Sequence, residues 1–445
     1  MQFILLFFIS LIVFYINFYN FGFFLINKLK LKLSSSETIL LSFFTGLSVV
    51  ASSVFFLGLL MGTKAYLINY FFFVIGLTQI KKSLKHIFSL KKTILKNKFS
   101  FLIIFVFSLT LYISLALSWF YKDGALLIQK GQIHDASWHI ALVKQLKNNI
   151  PPIHPSSFNE KVEHYHYFYD LLIATISQNF KIDLTFIYFQ FFPLIIVLFL
   201  SLSLVVLMTK FKLKKYSILL AFLIYFGGNF GYLIPFFLKG NTWSESSFWV
   251  SQTFNMMGNP QLILSFVFLF IILIILFKIE HKKIKFNYFT ASLISFLIAS
   301  SMGIKTYSYI VLSLIYLIFL IRRARKKTLK KTFLKGMLHL AISTPYFLSI
   351  VGFNKPSFFF HPLWYSTSMF AAPDRLNYVR AILLEQHYIA NHDYLKLILL
   401  KVLEVGIFII GNLGTRVILF LIPFVLLFKK KMQIHLCLDY MQRQV

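Results

Sequence analysis

The stretch Pro260–Lys285 reads PQLILSFVFLFIILIILFKIEHKKIK. Its first eighteen residues carry no charge, and its last eight hold Lys278, Lys282, Lys283 and Lys285. At ~1.5 Å rise per residue, an apolar helix over 260–279 spans ~30 Å, the thickness of a bilayer's hydrocarbon core. A helix is favoured there because it satisfies its own backbone polar groups where no water can. The basic cluster behind it is the signature of a connection retained on the cytoplasmic side.

The same apolar pattern recurs near 3–26, 38–61, 65–80, 100–120, 184–208, 216–238, 287–303, 306–321, 333–352 and 405–428, which gives eleven candidate spans in all. The run 168–180 reaches only ~20 Å at helical rise and is read as a re-entrant or interfacial helix. Residues 3–26 have no basic residue before them and no small-residue cleavage site after them, so they read as a membrane anchor.

Composition agrees. Of 445 residues 58% are apolar and 13% charged, with a mean hydropathy of +0.76. Soluble domains are roughly 45–50% apolar and about 25% charged, so a soluble or disordered chain is excluded. The long unbroken runs exclude the alternating pattern of a membrane β-barrel. The single Cys437 leaves no internal disulfide and no cysteine-based zinc or iron–sulfur site. The expected fold class is all-α, a polytopic integral membrane protein of about 11 transmembrane helices.

Alternate connections carry Lys28 to Lys32, Lys81 to Lys98, Lys210 to Lys215, Lys278 to Lys285, Arg322 to Lys335 and Lys429 to Lys431. With Arg443 they hold 30 of the 45 Lys and Arg. Those connections are read as cytoplasmic, placing the N-terminus outside and the C-terminus inside. The net charge of +31 is then a topology signal and not a call for nucleic acid. The opposite face holds ten of the 14 carboxylates and eight of the 12 histidines. Chemistry is expected on that extracytoplasmic face of a multi-pass protein of the cell membrane. The segments are read as 1–98, an N-terminal three-helix membrane part; 99–352, a core including the outer loop 121–183; 353–404, an outer loop; and 405–445, the last span and a cytoplasmic tail.

Within loop 121–183, the run His134-Asp135-Ala-Ser-Trp138-His139-Ile-Ala-Leu142-Val143 has helical period. It puts Asp135, Trp138, His139, Leu142, Val143 and Leu146 on one stripe. A carboxylate on a buried stripe is costly unless paired or used. Asp135 is therefore either a helix N-cap with His139 as its partner one turn on, or a general base or metal ligand beside the bilayer. Pro151, Pro152 and Pro155 end the helix. The following His164-Tyr-His166-Tyr-Phe-Tyr-Asp170 is either an interfacial aromatic belt or a phosphate or metal site. No metal motif of the HExxH kind is present, so a divalent metal is neither required nor excluded. Gly227 to Gly231 interrupt span 216–238 around Asn229. In loop 353–404, Pro373-Asp374 reads as a helix start. Arg375 and Arg380 are the outer arginines, suited to gripping phosphate. Lys401 and Glu404 are spaced to pair, and Arg416 needs a partner or a cavity. No nucleotide-binding loop and no nucleophile elbow occur.

Together, Asp135-Ala-Ser-Trp-His139, the prolines, the run His164 to Asp170, Asn259-Pro-Gln261 and Asn412-Leu-Gly414 resemble the GT-C class of membrane glycosyltransferases, over roughly residues 100–430. Four spans precede the Asp loop here where that class has one, and Asp135 stands without a second acid beside it. The resemblance implies a catalytic Asp135 on a short helix along the membrane, assisted by His139. It further implies substrate contacts from His134, His164, His166, Asp170, Arg375 and Arg380. The implied partners are a polyprenyl-phosphate sugar and a glycan, lipid or protein acceptor. Two alternatives stand beside it: a transporter or flippase of lipid-linked saccharide, and a non-catalytic membrane subunit of glycan assembly.

Overall fold

The computed structural model describes residues 2–118, 120–122, 125–127, 133–157, 159–163, 165–228, 230, 252–324, 328–350, 363–373 and 375–417. The chain divides into two compact units, residues 1–218 with 256–358, and residues 219–255 with 359–445. Segment 1–98 thus shares a unit with most of 99–352.

The first unit holds α1 (Gln2–Phe14), α2 (Phe21–Lys28), α3 (Ser35–Met61), α4 (Ile68–Leu77), α5 (Ile80–Lys96), α6 (Lys98–Ala116), α7 (Ile133–Leu146), α8 (Phe168–Phe180) and α9 (Phe192–Lys210). The helix α10 (Ser217–Tyr225) and α11 (Gln252–Gly258) lie where the units meet along the chain. Then follow α12 (Pro260–Glu280), α13 (Tyr288–Met302), α14 (Thr306–Arg323) and α15 (Leu329–Ile350). The departures from an all-helical reading among the described residues are a hairpin of two three-residue strands, β1 (Phe120–Lys122) and β2 (Ala125–Leu127), with Tyr121 opposite Leu126, and an isolated antiparallel bridge between Ile153 and Lys161. Six segments of the described residues are long and apolar enough to cross a membrane: Ile4–Lys28, Ser35–Leu77, Lys98–Ala116, Phe186–Lys210, Pro260–Glu280 and Thr306–Arg323. The second of these joins α3 and α4 through a 3-10 turn, Gly62–Leu67, that opens at Gly62, whose φ of 61° only glycine adopts freely.

Helix α3 is the mast of the unit, packing against α2, α5, α8, α9, α12 and α13. Its crossing with α2 is backbone on backbone. A Cβ at Gly46 would lie 1.9 Å from the carbonyl of Phe18, and one at Gly22 would lie 1.8 Å from that of Ser42. Lipid supplies no hydrophobic drive between helices, so close approach and polar contacts hold them instead. The polar contacts are here: Asn17 donates to Asn69 at 2.6 Å, Ser201 to Ser108 at 2.7 Å, Ser300 to Ser48 at 2.8 Å and Tyr346 to Ser52 at 2.7 Å. At the lysine-rich end, Glu37 in the capping box of α3 receives Lys210 of α9 and Lys278 of α12, each at 2.6 Å. One buried carboxylate therefore ties three helices together.

Helix α8, the run too short to span, is buried for most of its length against α3 and α7. It is an internal element of the unit.

The second unit contains α16 (Trp364–Ala371), α17 (Val379–Ala390) and α18 (Tyr394–Leu413), packed on one another. The helix expected to begin at Pro373 begins instead at Val379. Ahead of it Asn377 has φ 48°, and Tyr378 N–H returns to the carbonyl of Phe370. Lys401 pairs with Glu404 as its spacing predicts, at 3.1 Å, and also with Glu385 at 2.7 Å. Arg416 finds its partner at the broken end of α10: its Nε donates to the carbonyl of Leu223 at 3.0 Å. A Cβ at Gly227 would lie 2.8 Å from that Nε, so the glycine makes room for the arginine.

Candidate functional site

Helix α7 forms where its period predicts, and Ala136, His139, Ile140, Leu142, Val143 and Leu146 are buried in it. Asp135 departs from the stripe: it is exposed, one turn below the buried His139. The expected Asp135–His139 pair is not formed. The imidazole turns inward and its Nδ1 lies 2.9 and 3.1 Å from the two oxygens of Asp170 on α8. Burial decides this. Asp170 is wholly buried, and a buried carboxylate without partners costs far more than an exposed one. An ionised carboxylate only accepts, so Nδ1 carries the hydrogen and donates. The ring's remaining nitrogen then accepts, and the Gln261 amide lies 3.3 Å from it. Gln261 is held in the first turn of α12, whose N-cap Asn259 accepts from Leu262 N–H at 3.0 Å.

Asp170 has two further sources of positive potential. It sits in the first turn of α8, where the helix dipole favours an anion. Lys305 also faces it from the turn between α13 and α14. Burial pushes the Lys305 ammonium below its ordinary range, and Asp135 and Asp170 pull it back up. Among the described residues no hydrogen-bond acceptor or ion pair lies within contact of that ammonium, so its donors are available to a ligand. The turn is anchored by backbone: Phe168 N–H at the start of α8 donates to the carbonyl of Gly303 at 2.7 Å. A Cβ on Gly303 would sit 2.3 Å from the Phe168 ring.

Aromatic rings cover the cluster. Tyr165 stacks on His166 with centroids 4.5 Å apart and meets Trp138 edge-on at 6.1 Å. Trp138 in turn meets His154 at 5.0 Å. Burial, Asp170 and Asp135 all hold the Tyr165 phenol protonated. Burial, with Lys305 and His139 adding positive charge, pushes the His166 imidazole down to about 3, so His166 is neutral at physiological pH.

The structure thus brings Asp135, His139, His166 and Asp170 to one place, at the end of the unit away from the Glu37 clamp along α3, α9 and α12. The side chain of His134 and the whole of His164 lie outside the described residues, as do Asp374 and Asn229. Arg375 and Arg380 belong to the second unit: Arg375 is half-buried in the turn before α17 and Arg380 is exposed in its first turn. Among the described residues no three His, Cys, Asp or Glu converge as a metal site. Gln261 stood in the sequence only within the Asn259-Pro-Gln261 signature, with no role assigned to it, and Lys305 was not singled out. Lys305 had a signal: it is the one charged residue in the two-residue connection between the apolar runs 287–303 and 306–321. The chain matches no family model, no curated protein and no solved structure.

Proposed function

We propose that this chain is a polytopic membrane glycosyltransferase that moves a sugar from a polyprenyl-phosphate donor to an acceptor hydroxyl on the extracytoplasmic side. The observation that carries the reading is one exposed carboxylate, Asp135, set beside a buried lysine with unused donors, Lys305, over the His139–Asp170 pair. Such a group offers a base in the open and a cation behind it, which is what displacement of a phosphate needs.

In this reading Asp135 takes the proton of the acceptor hydroxyl. The freed oxygen attacks the anomeric carbon, and the bond from that carbon to the donor phosphate oxygen breaks. The phosphate leaves with the electron pair and its charge is stabilised by Lys305. His139, oriented by Asp170 through Nδ1, presents its other nitrogen as a hydrogen-bond acceptor to the acceptor hydroxyl. A single attack inverts the anomeric configuration. The topology expected from the sequence, eleven spans with the N-terminus outside, would set the site against the outer leaflet, from which the lipid donor would enter. The reading is tested by incubating purified protein with a panel of polyprenyl-phosphate sugars and acceptors in proteoliposomes. Transfer with inversion is expected; a retained anomeric configuration, or translocation of an uncleaved donor, would overturn it.

A further inference from the structure

Helices α14 and α15 leave a cleft of about 620 Å³ between them. Its walls are almost wholly apolar, formed by Leu317, Leu320 and Ile321 on one side and Phe333, Met337 and Leu340 on the other. Gly336 widens it: a Cβ there would meet only Leu320, at 3.8 Å. The lining of α14 runs from Tyr309 to Ile321, which is ~18 Å at helical rise. Half of a ~30 Å hydrocarbon core is ~15 Å, so the cleft has the depth of one leaflet.

The end lined by Ile321 and Leu329 is not apolar outside. Arg322 follows the lining residue Ile321, and Lys330 and Lys331 follow the lining residue Leu329; all three are exposed. None of them has an ion-pair partner among the described residues, whereas neighbouring Arg323 is engaged by Glu280 at 3.3 Å. Deeper in, His339 and Ser313 bond to each other at 3.3 Å, and the buried His339 Nδ1 and Tyr316 Oη are the polar atoms left without a partner among the described lining residues.

We infer that this cleft is a binding site for one acyl chain of an anionic phospholipid from the leaflet on the basic side, with Arg322, Lys330 and Lys331 holding its phosphate. The apolar walls fit a hydrocarbon chain, and the one-leaflet depth fits an acyl chain of ordinary length. Arg322, Lys330 and Lys331, unpaired among the described residues, select a negatively charged headgroup, each strengthening attraction about fivefold. The site lies at the opposite end of the unit's basic-to-acidic axis from Asp135 and Lys305, so its lipid is a bound companion and not the donor.

The full chain is purified in mild detergent, and the lipids it retains are extracted and measured by mass spectrometry after equilibration with mixed micelles. The micelles hold phosphatidylglycerol, phosphatidylcholine and a polyprenyl phosphate in equal amounts. Wild type is expected to retain phosphatidylglycerol in preference to phosphatidylcholine. The variant Arg322→Ala/Lys330→Ala/Lys331→Ala should lose about a hundredfold of that preference. Gly336→Phe, which fills the cleft, should lose both diacyl lipids while its thermal unfolding stays cooperative. Because the charge variant alters only exposed residues, it reports even where Gly336→Phe fails to fold. Equal retention of the two diacyl lipids by wild type, an unchanged preference in the charge variant, or selective retention of the polyprenyl phosphate in this cleft would each overturn the inference.

Discussion

At the residue scale the site separates residues by what burial demands of them. Asp135 is exposed and makes no hydrogen bond that its helix depends on, so Asp135→Asn should leave stability within about 0.5 kcal/mol of wild type. His139→Ala is different, because it strands the fully buried Asp170 without its partner, at a cost of about 3–5 kcal/mol. Thermal unfolding in one detergent compares the two directly. His166 supplies a pH signature. Its folded pKa of about 3 lies below the unfolded value near 6.5, so between those values the unfolded chain holds a proton that the folded chain does not. Stability therefore rises with pH across that window and is lost as pH falls, by about 1.4 kcal/mol per unit where the difference is a full proton. His166→Gln should flatten the slope of unfolding free energy between pH 4 and 6; an unaltered slope would remove His166 from that role. Sequence alone singled out four of these residues because titratable groups at helical spacing are conspicuous. It paired His139 with the wrong acid, since i,i+4 proximity on α7 says nothing of which neighbour is buried. The winning partner lies 31 residues away, on a helix whose position only the fold supplies.

At the element scale, α8 and the α13–α14 turn decide whether the residues meet. The Gly303 carbonyl receives the Phe168 amide, and the missing Cβ lets the Phe168 ring lie against it. Gly303→Ala forces that ring away at a cost of about 1–3 kcal/mol and carries Lys305, two residues on, off Asp170. We expect activity to fall in Gly303→Ala by more than the folded fraction does, measured as specific activity against the folded fraction from unfolding curves. Activity that merely tracks the folded fraction would show that the turn does not position Lys305. The helices themselves were legible, because apolar runs bounded by lysines mark their own ends: 260–279 forms as 260–280 and 306–321 as 306–323. Helix α8 was legible as a helix too short to span, with a re-entrant and an interfacial position both open. Thirteen apolar residues suit either, and only its burial against α3 and α7 shows it to be interior. The start of α17 was misread because Pro373 fits the first turn of a helix and a tight turn alike; the chain uses it in the turn.

On the scale of the whole molecule, charge divides the first unit. Glu37, Lys210 and Lys278 close one end and Asp135, His139, Asp170 and Lys305 gather at the other. This separation was visible in the sequence as lysine-rich and carboxylate-rich connections in alternation. It implies an orientation that labelling can check. In a chain carrying Cys437→Ser, a cysteine at exposed Lys92 on α5 should react with a membrane-impermeant maleimide only after the membrane is opened. A cysteine at exposed Glu160 should react in intact cells. The reverse pattern would place the site inside. The account rests on Asp135 as the base and Lys305 as the cation behind it, and the most direct measurement is the turnover of a polyprenyl-phosphate sugar by three equally folded proteins. Wild type should transfer the sugar, and Asp135→Asn and Lys305→Met should each lose about 10²–10³ in kcat, the scale of removing one group that meets charge in the transition state. Wild-type turnover in Asp135→Asn, or no turnover by folded wild type across the donor panel, would contradict it.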